Sequence, residues 1–368
     1  MKTIAFFRYA PIYRSCIYQL MNQELDVDFL FCGDSKINIK QMDYSLLQNC
    51  DLSAKERGSL ESFHYESNIP WKKLFKYKNI ITTGNPKDLT VWLILLSNKV
   101  FRKRSNVFLW THGAYGNEGT IKKLLKRIMY GMSSGVLLYG NYAKDILLKN
   151  KLIVENKLHV IYNSLNYDEQ LSLRKNCKQS DLYRKHFGND NKNIIIICRV
   201  TVAKKIDMLL DAVVLLRDKG FDYNITVIGD GEALNQLVIY AKEKNIYDKV
   251  WFYGACYDDA VTAGLLYNSD VCVSPGEVGL TAIHSMMFGT PVITHKDFCT
   301  QGPEFESIKP GETGDFFEKN NVSSLAHAIE LWFKNDKDRE CIRERCYKIV
   351  DDYYNPHKQI ELLKSVLK

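Results

Sequence analysis

The sequence predicts an α/β protein of two domains. Three observations carry this. The chain of 368 residues is too long for one ordinary domain and comfortable for two. With 46% hydrophobic and 25% charged residues it is globular in composition and long enough to bury two cores. Its C-terminal half alternates short β-branched runs with segments of helical periodicity, the pattern of βαβ units and a parallel sheet.

In the N-terminal half, Lys2 to Phe7 reads as a strand, Tyr13 to Met21 as a helix and Val27 to Phe31 as a second strand. Residues 33–70 are polar and irregular and carry no readable element. Later strands are expected at Asn79 to Thr83, Asn106 to Trp110, Gly135 to Tyr139 and Leu158 to Tyr162. In the C-terminal half, Asn193 to Cys198 is a β-branched run suited to a strand buried on both faces. Apolar residues at 206, 209, 210, 213 and 216 then mark a helix. Strands at Asp222 to Ile228, Val250 to Tyr253, Asp270 to Ser274 and Pro291 to Thr294 follow. Helices at Ala233 to Lys244, Asp258 to Asn268 and Gly279 to Phe288 separate them. The domains are placed at residues 1–165 and 166–350, with a helix in 351–368 packing back toward the first.

No apolar run reaches the roughly 18 residues that span a bilayer. The apolar start Ile4 to Phe7 ends at Arg8, too short for a signal peptide. The ten cysteines include no C-x-x-C pair, and the expectation is reduced thiols in the cytoplasm. Charge is unevenly divided: residues 1–163 carry 24 Lys and Arg against 13 Asp and Glu, the remainder 26 against 30. The basic half should be drawn to something acidic.

Ligands of an open parallel sheet bind beyond the carboxyl ends of its strands. Arg199 and Lys204 follow the 193–198 run, and Gly276, Glu277 and Gly279 follow the 270–274 run at the start of a helix. Fixed cations and free backbone N–H groups suit a diphosphate. On that helix Thr281, His284, Ser285 and Phe288 fall on one side, and Ile283, Met286 and Met287 look like core. Singly, each feature has an ordinary explanation. Arg199 and Lys204 could be surface charges, His284 a satisfied polar residue, and Gly229-Asp230-Gly231 a tight turn.

Their joint order is more specific. From Ile194 to Phe317 the chain resembles the family 4 retaining glycosyltransferases, such as those building bacterial capsule and O-antigen. The resemblance rests on Arg199-Val-Thr-Val-Ala-Lys204-Lys-Ile-Asp207, Val227-Ile-Gly-Asp-Gly231, Val250-Trp-Phe-Tyr-Gly254 and Gly279-Leu-Thr-Ala-Ile-His-Ser-Met-Met-Phe-Gly289-Thr-Pro-Val-Ile293. Gly302-Pro-Glu304 and Gly311-Glu-Thr-Gly314 continue it. The N-terminal half matches more thinly, at Trp110-Thr-His112-Gly113 and Val160-Ile-Tyr-Asn163-Ser-Leu-Asn166.

The resemblance implies the GT-B fold, two Rossmann-like domains facing across a cleft, and glycosyl transfer (class EC 2.4) from a UDP- or GDP-linked sugar. It implies Arg199 and Lys204 on the donor diphosphate, capped by the backbone of Gly279, Leu280 and Thr281. Gly254 would lie beside the nucleobase, with Gly229 also on the donor side, Glu277 on the donor sugar and His112 facing that sugar. The family usually carries two glutamates seven residues apart. Here Gly276 and His284 align with them, and Glu277 is displaced by one position. The first strand–helix turn lacks the family's Gly-rich loop. It reads Arg8-Tyr-Ala-Pro-Ile-Tyr-Arg14, so Tyr13 and Arg14 are either acceptor-side residues or structural.

No cofactor is expected beyond the nucleotide sugar. No Asp-x-Asp motif of the metal-dependent sort and no His/Cys ligand set is recognised, so metal-independent transfer is expected. The basic stretches Trp71 to Lys78, Arg102 to Arg104 and Ile121 to Ile128 suit the edge of an anionic membrane. This points to a saccharide or polyprenyl-linked saccharide acceptor at the inner face, and not to nucleic acid. The alternatives are a solvated basic face, a sugar-nucleotide epimerase of the same fold, or a non-catalytic homologue serving as a subunit.

Overall fold

Strand formation in this chain follows its apolar runs, and each of its two sheets starts from one of them. The computed structural model describes residues 2–34, 39–60, 63–101, 105–334 and 338–368. The chain divides into an N-terminal unit, residues 1–166 with 353–368, and a C-terminal unit, residues 167–352.

The N-terminal unit carries β1 (Thr3–Phe6), β2 (Val27–Cys32), β3 (Cys50–Leu60), β4 (Phe63–Ser67), β5 (Asn79–Thr83), β6 (Asn106–Thr111), β7 (Gly135–Leu138) and β8 (Leu158–Val160). Their order across the sheet is β4-β3-β2-β1-β5-β6-β7-β8, parallel except for the β3/β4 pair. Successive side chains of a strand face opposite sides. Accordingly Ile4, Phe6 and Leu30 enter one apolar cluster, while Ala5, Phe7, Phe29 and Phe31 enter the other. Helix Pro356–Val366 puts Ile360 and Leu363 into the second cluster against Ile17 and Met21 of helix Ser15–Leu25. Asn79 Nδ2 donates to the Leu367 carbonyl at 2.8 Å, and Gln359 Nε2 to that of Tyr162 at 2.7 Å.

The stretch 33–70, unplaced from sequence, contains β3 and β4, paired antiparallel with Lys55 opposite Ser67 and Arg57 opposite Tyr65. Ala54 is buried, whereas Leu52, Ser53, Lys55 and Arg57 are exposed, so no apolar alternation announces the strand. Within the basic stretch at 71–78 only Trp71–Leu74 is helical, and Leu74 and Tyr77 turn into the core. Residues 102–104 lie outside the described residues.

Helix Thr120–Met132 corrects another expectation. Ile121, Leu124 and Ile128 are exposed, but Lys126 is buried. Its ammonium donates to the Glu118 carboxylate at 2.6 Å and the Gly113 carbonyl at 2.5 Å, so it is not available to a membrane surface.

The C-terminal unit carries β9 (Lys192–Ile197), β10 (Tyr223–Ile228), β11 (Val250–Gly254), β12 (Val271–Ser274), β13 (Val292–His295) and β14 (Gly314–Phe317). Their order is β11-β10-β9-β12-β13-β14, all parallel. The run Ile194-Ile195-Ile196 is fully buried, as a central strand covered on both faces requires. Among the described residues no helix is long and apolar enough to cross a membrane.

Candidate functional site

Each sheet has a point where strand order reverses, and there the loops at neighbouring strand ends diverge and leave a crevice. In the C-terminal unit this point lies between β9 and β12. The segment after β9 carries Arg199 and Lys204, and the segment after β12 carries Gly276, Glu277, Gly279, Leu280 and Thr281. The two segments touch. The Gly276 N–H donates to the Lys204 carbonyl at 3.1 Å, and the Lys204 ammonium donates to the Glu277 carbonyl at 2.6 Å. A Cβ on Gly276 would lie 2.4 Å from the Ala203 carbonyl oxygen, so only glycine allows this approach. Among the described residues neither Arg199 nor Lys204 has an acidic partner within salt-bridge distance.

The Thr281 hydroxyl donates to the Ile197 carbonyl at 2.8 Å, tying the start of helix Thr281–Met287 to β9. His284 is half-buried, and burial pushes its imidazole down to about 4, so it is neutral near pH 7. Ser285 and Phe288, read from sequence on the same side as His284, are fully buried with Ile283, Met286 and Met287. At Gly229 a Cβ would lie 1.8 Å from the Cys198 carbonyl, and φ is +137°. This glycine packs the end of β10 against the end of β9. Gly254, with φ +84°, ends β11 and has open space where a Cβ would be.

Sequence reasoning missed Gln301. It is buried, accepts from the Val278 N–H at 2.9 Å, and donates to the Thr294 hydroxyl at 2.9 Å and the His295 carbonyl at 3.1 Å. It thereby clamps the 275–280 segment to β13. Its position beside Gly302-Pro303-Glu304 was its only signal. A Cβ on Gly302 would meet the Glu304 and Glu277 carboxylates at 2.8 and 3.1 Å, so this glycine leaves room for Glu277.

In the N-terminal unit the reversal lies between β1 and β5. A 340 Å³ cavity opens there, lined by Tyr9, Tyr13 and Arg14 after β1, Asn85 after β5, and His112 after β6. The structure thus brings His112, Tyr13 and Arg14 together. The His112 ring lies 4.8 Å from that of Tyr139. Desolvation, then the positive charges of Arg14 and Lys126, hold it below the ordinary histidine range. The loop bearing His112 is anchored by Glu118, which accepts from the Tyr115 and Gly116 N–H groups, both at 2.9 Å, and from Lys126. Burial alone would raise the Glu118 carboxyl, but these donors hold it down at about 2.

The fold also assembles an acidic group invisible in the sequence. His64, Glu66 and Asp88 bring ligand-type atoms within 4.8 Å of one another. Arg8 Nε lies 3.5 Å from the Glu66 carboxylate, which is fully buried and among the described residues meets no hydrogen-bond donor in good geometry. Burial, then the neighbouring Asp88, raise Glu66 above the usual carboxylate range. Asp-x-Asp triplets do occur, at Asp26-Val27-Asp28 and Asp336-Lys337-Asp338. The first lies at the amino end of β2, where Asp28 is engaged by Tyr77 and Lys2, opposite the cavity end of the sheet. The second lies partly outside the described residues.

Residues 179–349 match the family model described as "Glycosyl transferases group 1". The GDP-mannose-dependent alpha-(1-6)-phosphatidylinositol dimannoside mannosyltransferase of Mycobacterium tuberculosis is 27% identical over 168 residues. That covers 44% of this chain and 42% of the relative, less than half its length. The capsular polysaccharide biosynthesis glycosyltransferase CapM of Staphylococcus aureus is 23% identical, covering 78% of this chain and 76% of the relative. Among solved structures, Anabaena HepE in complex with UDP superposes with a TM-score of 0.73 at 15% identity, covering 100% of this chain and 99% of that one. The lipopolysaccharide outer core galactosyltransferase WaaB superposes at 0.71 and 15% identity over 100% of both chains. At such identities these structures establish the fold.

Proposed function

We propose, for a chain whose residues 179–349 match the group 1 glycosyl transferase model and which has the two parallel-sheet units of the GT-B fold, that it transfers a sugar from a nucleoside-diphosphate sugar to a hydroxyl acceptor. The observation that carries this is the pair of cations, Arg199 and Lys204, beside the glycine-bounded 276–281 backbone at a strand-order reversal.

In transfer, the bond from the sugar C1 to the diphosphate oxygen breaks, a bond to the acceptor oxygen forms, and the acceptor hydroxyl loses its proton. Negative charge grows on the leaving diphosphate. Arg199, Lys204 and the N–H groups of Gly279, Leu280 and Thr281 would meet it with dipoles and charges already in place, without a metal. Glu277 would bind donor-sugar hydroxyls, neutral His284 the ribose, Gly254 would flank the base, and His112 is proposed, by the family resemblance, as a further sugar contact. Retention of configuration belongs to this reading through the family resemblance. A UDP or GDP donor is favoured by relatives named as GDP-mannose-dependent or solved with UDP.

The acceptor in this reading is a saccharide or polyprenyl-linked saccharide; two relatives are named for capsular polysaccharide biosynthesis and for mannosyl transfer to phosphatidylinositol dimannoside. The exposed apolar side chains support a seat on the inner, anionic face of a membrane. Ile121 is 77% exposed, and Leu93, Leu96 and Val100 of helix Leu89–Val100, with Phe101 just after it, are exposed as well. Lys122 and Arg127 stand exposed beside Ile121 and Ile128. Such a surface binds anionic lipid by apolar insertion and charge together.

A labelled-donor assay with UDP- and GDP-sugars, run with and without chelator, tests the reading. It expects a glycosylated acceptor and unchanged rate in chelator. Altered free sugar alone would mark an epimerase, and no turnover with any donor would refute catalysis. Sedimentation with anionic vesicles should be lost on Ile121→Asp with Leu124→Asp, and equal binding to neutral vesicles would refute the membrane seat.

A further inference from the structure

We propose that the cavity of the N-terminal unit is an anion subsite, in which the Arg14 guanidinium seats a phosphate or carboxylate carried by the acceptor. This rests on the reading of that unit as the acceptor side.

Arg14 is unusual for what surrounds it. Its guanidinium carbon lies 6.0 Å from the Tyr13 ring centre, 5.5 Å from that of Trp110 and 5.3 Å from that of Tyr139. One amino group donates to the Tyr139 hydroxyl and the other to the Tyr18 hydroxyl at 3.4 Å, while among the described residues its Nε–H has no acceptor. Among the described residues no carboxylate lies within salt-bridge distance. Burial raises the pKa values of Tyr18 and Tyr139, making these phenols weaker acids, so they accept hydrogen bonds without supplying charge.

Arg8, lining the same cavity, makes the contrast. It is met by both Glu56 and Glu66 and is neutralised within the protein. Charge held away from water is ordinarily paired, and among the described residues Arg14 meets only ring faces and two neutral phenol hydroxyls, which leave its positive charge uncancelled and able to attract an oxyanion. His112 on the cavity wall is neutral near pH 7, so Arg14 is the fixed, uncompensated charge of this wall. A volume of 340 Å³ accommodates a sugar-sized ligand. Two sources offer the same chemistry: the phosphate of a lipid-linked saccharide and the carboxylate of an acidic sugar.

Calorimetric titration of the full chain with glucose 1-phosphate, glucuronate, glucose, UDP and GDP separates them. At least one anionic sugar should bind ten or more times tighter than glucose, and whichever anion is preferred identifies the source. Arg14→Gln should erase that preference and leave UDP and GDP binding within twofold. Should that variant not fold, phosphate titration of the unmodified protein must shift the Arg14 Nε–H resonance. Equal affinity for glucose and both anions, no effect of Arg14→Gln, or an unmoved resonance overturns the inference. So does an Arg14→Gln effect confined to UDP and GDP, since the anion is then the donor's diphosphate. Anion preference that persists in a protein without transferase activity leaves the subsite standing and removes the functional reading instead.

Discussion

Lys204 donates its ammonium to the backbone carbonyl of Glu277 at 2.6 Å. With the Gly276 N–H bond to the Lys204 carbonyl, it joins the loop after β9 to the loop after β12, across the point where strand order reverses. It holds a cation against backbone, where among the described residues no carboxylate lies within salt-bridge distance.

Arg199→Ala and Lys204→Ala should each lower kcat/KM more than tenfold with the fold retained. A hydrogen bond to a charged group contributes about 1.5–3 kcal/mol, and about 1.4 kcal/mol is a factor of ten. Steady-state kinetics with circular dichroism checks this. Rates within twofold of wild type in both variants would remove these residues from the donor site.

Gly276→Ala should weaken nucleotide binding without touching any charged group. The new methyl would meet the Ala203 carbonyl at 2.4 Å and the Lys204 Cα at 2.9 Å, both backbone, so the two loops must part. Overpacking of this kind costs about 1–3 kcal/mol. Urea melts and UDP titration should both register it. Unchanged affinity would show that the loop contact does not shape the site.

Lys126→Met should destabilise the N-terminal unit by about 3–5 kcal/mol, because it strands a buried carboxylate. Glu118→Gln added to it should recover part of the loss, and an additive double mutant would rule out the coupling. Glu118 also sets an acid limit. Its folded-state value is depressed, so its contribution is present above the unfolded value of about 4.3 and is lost as pH falls toward about 2.

Glu66 should act with the opposite sign. Its folded-state value is raised by burial and Asp88, so its contribution is present below the ordinary carboxylate range and is lost as pH rises toward neutrality. Glu66→Gln should flatten that loss. Urea midpoints at several pH values between 4 and 8 would show it, and parallel curves for variant and wild type would exclude the effect.

The C-terminal unit was legible because its local and global signals agree. The β-branched run Ile194 to Ile197 suits a covered strand, and Gly229, Gly254 and Gly276 punctuate strand ends as their geometry requires. The β3/β4 hairpin was not legible, since neighbouring strands satisfy its backbone while its few apolar side chains, Leu52, Phe63 and Tyr65 among them, are exposed and follow no core-facing alternation. Lys126 misled for a related reason. Its spacing matches the exposed Lys122, but helix Thr120–Met132 turns it toward Glu118, a partner that periodicity does not reveal. Gln301 escaped because its work is done through three contacts set by tertiary packing.

The return of helix Pro356–Val366 to the first sheet makes the C-terminal unit an insertion within the N-terminal one. During synthesis, which proceeds from the amino end, residues 1–166 emerge with the Ile17 and Met21 side of helix Ser15–Leu25 uncovered. The C-terminal unit, whose residues are continuous, is free to complete first. The first-made sheet is therefore the last to be finished, and a transcript cut short anywhere before Leu363 releases a chain whose oldest part has no lid over its core.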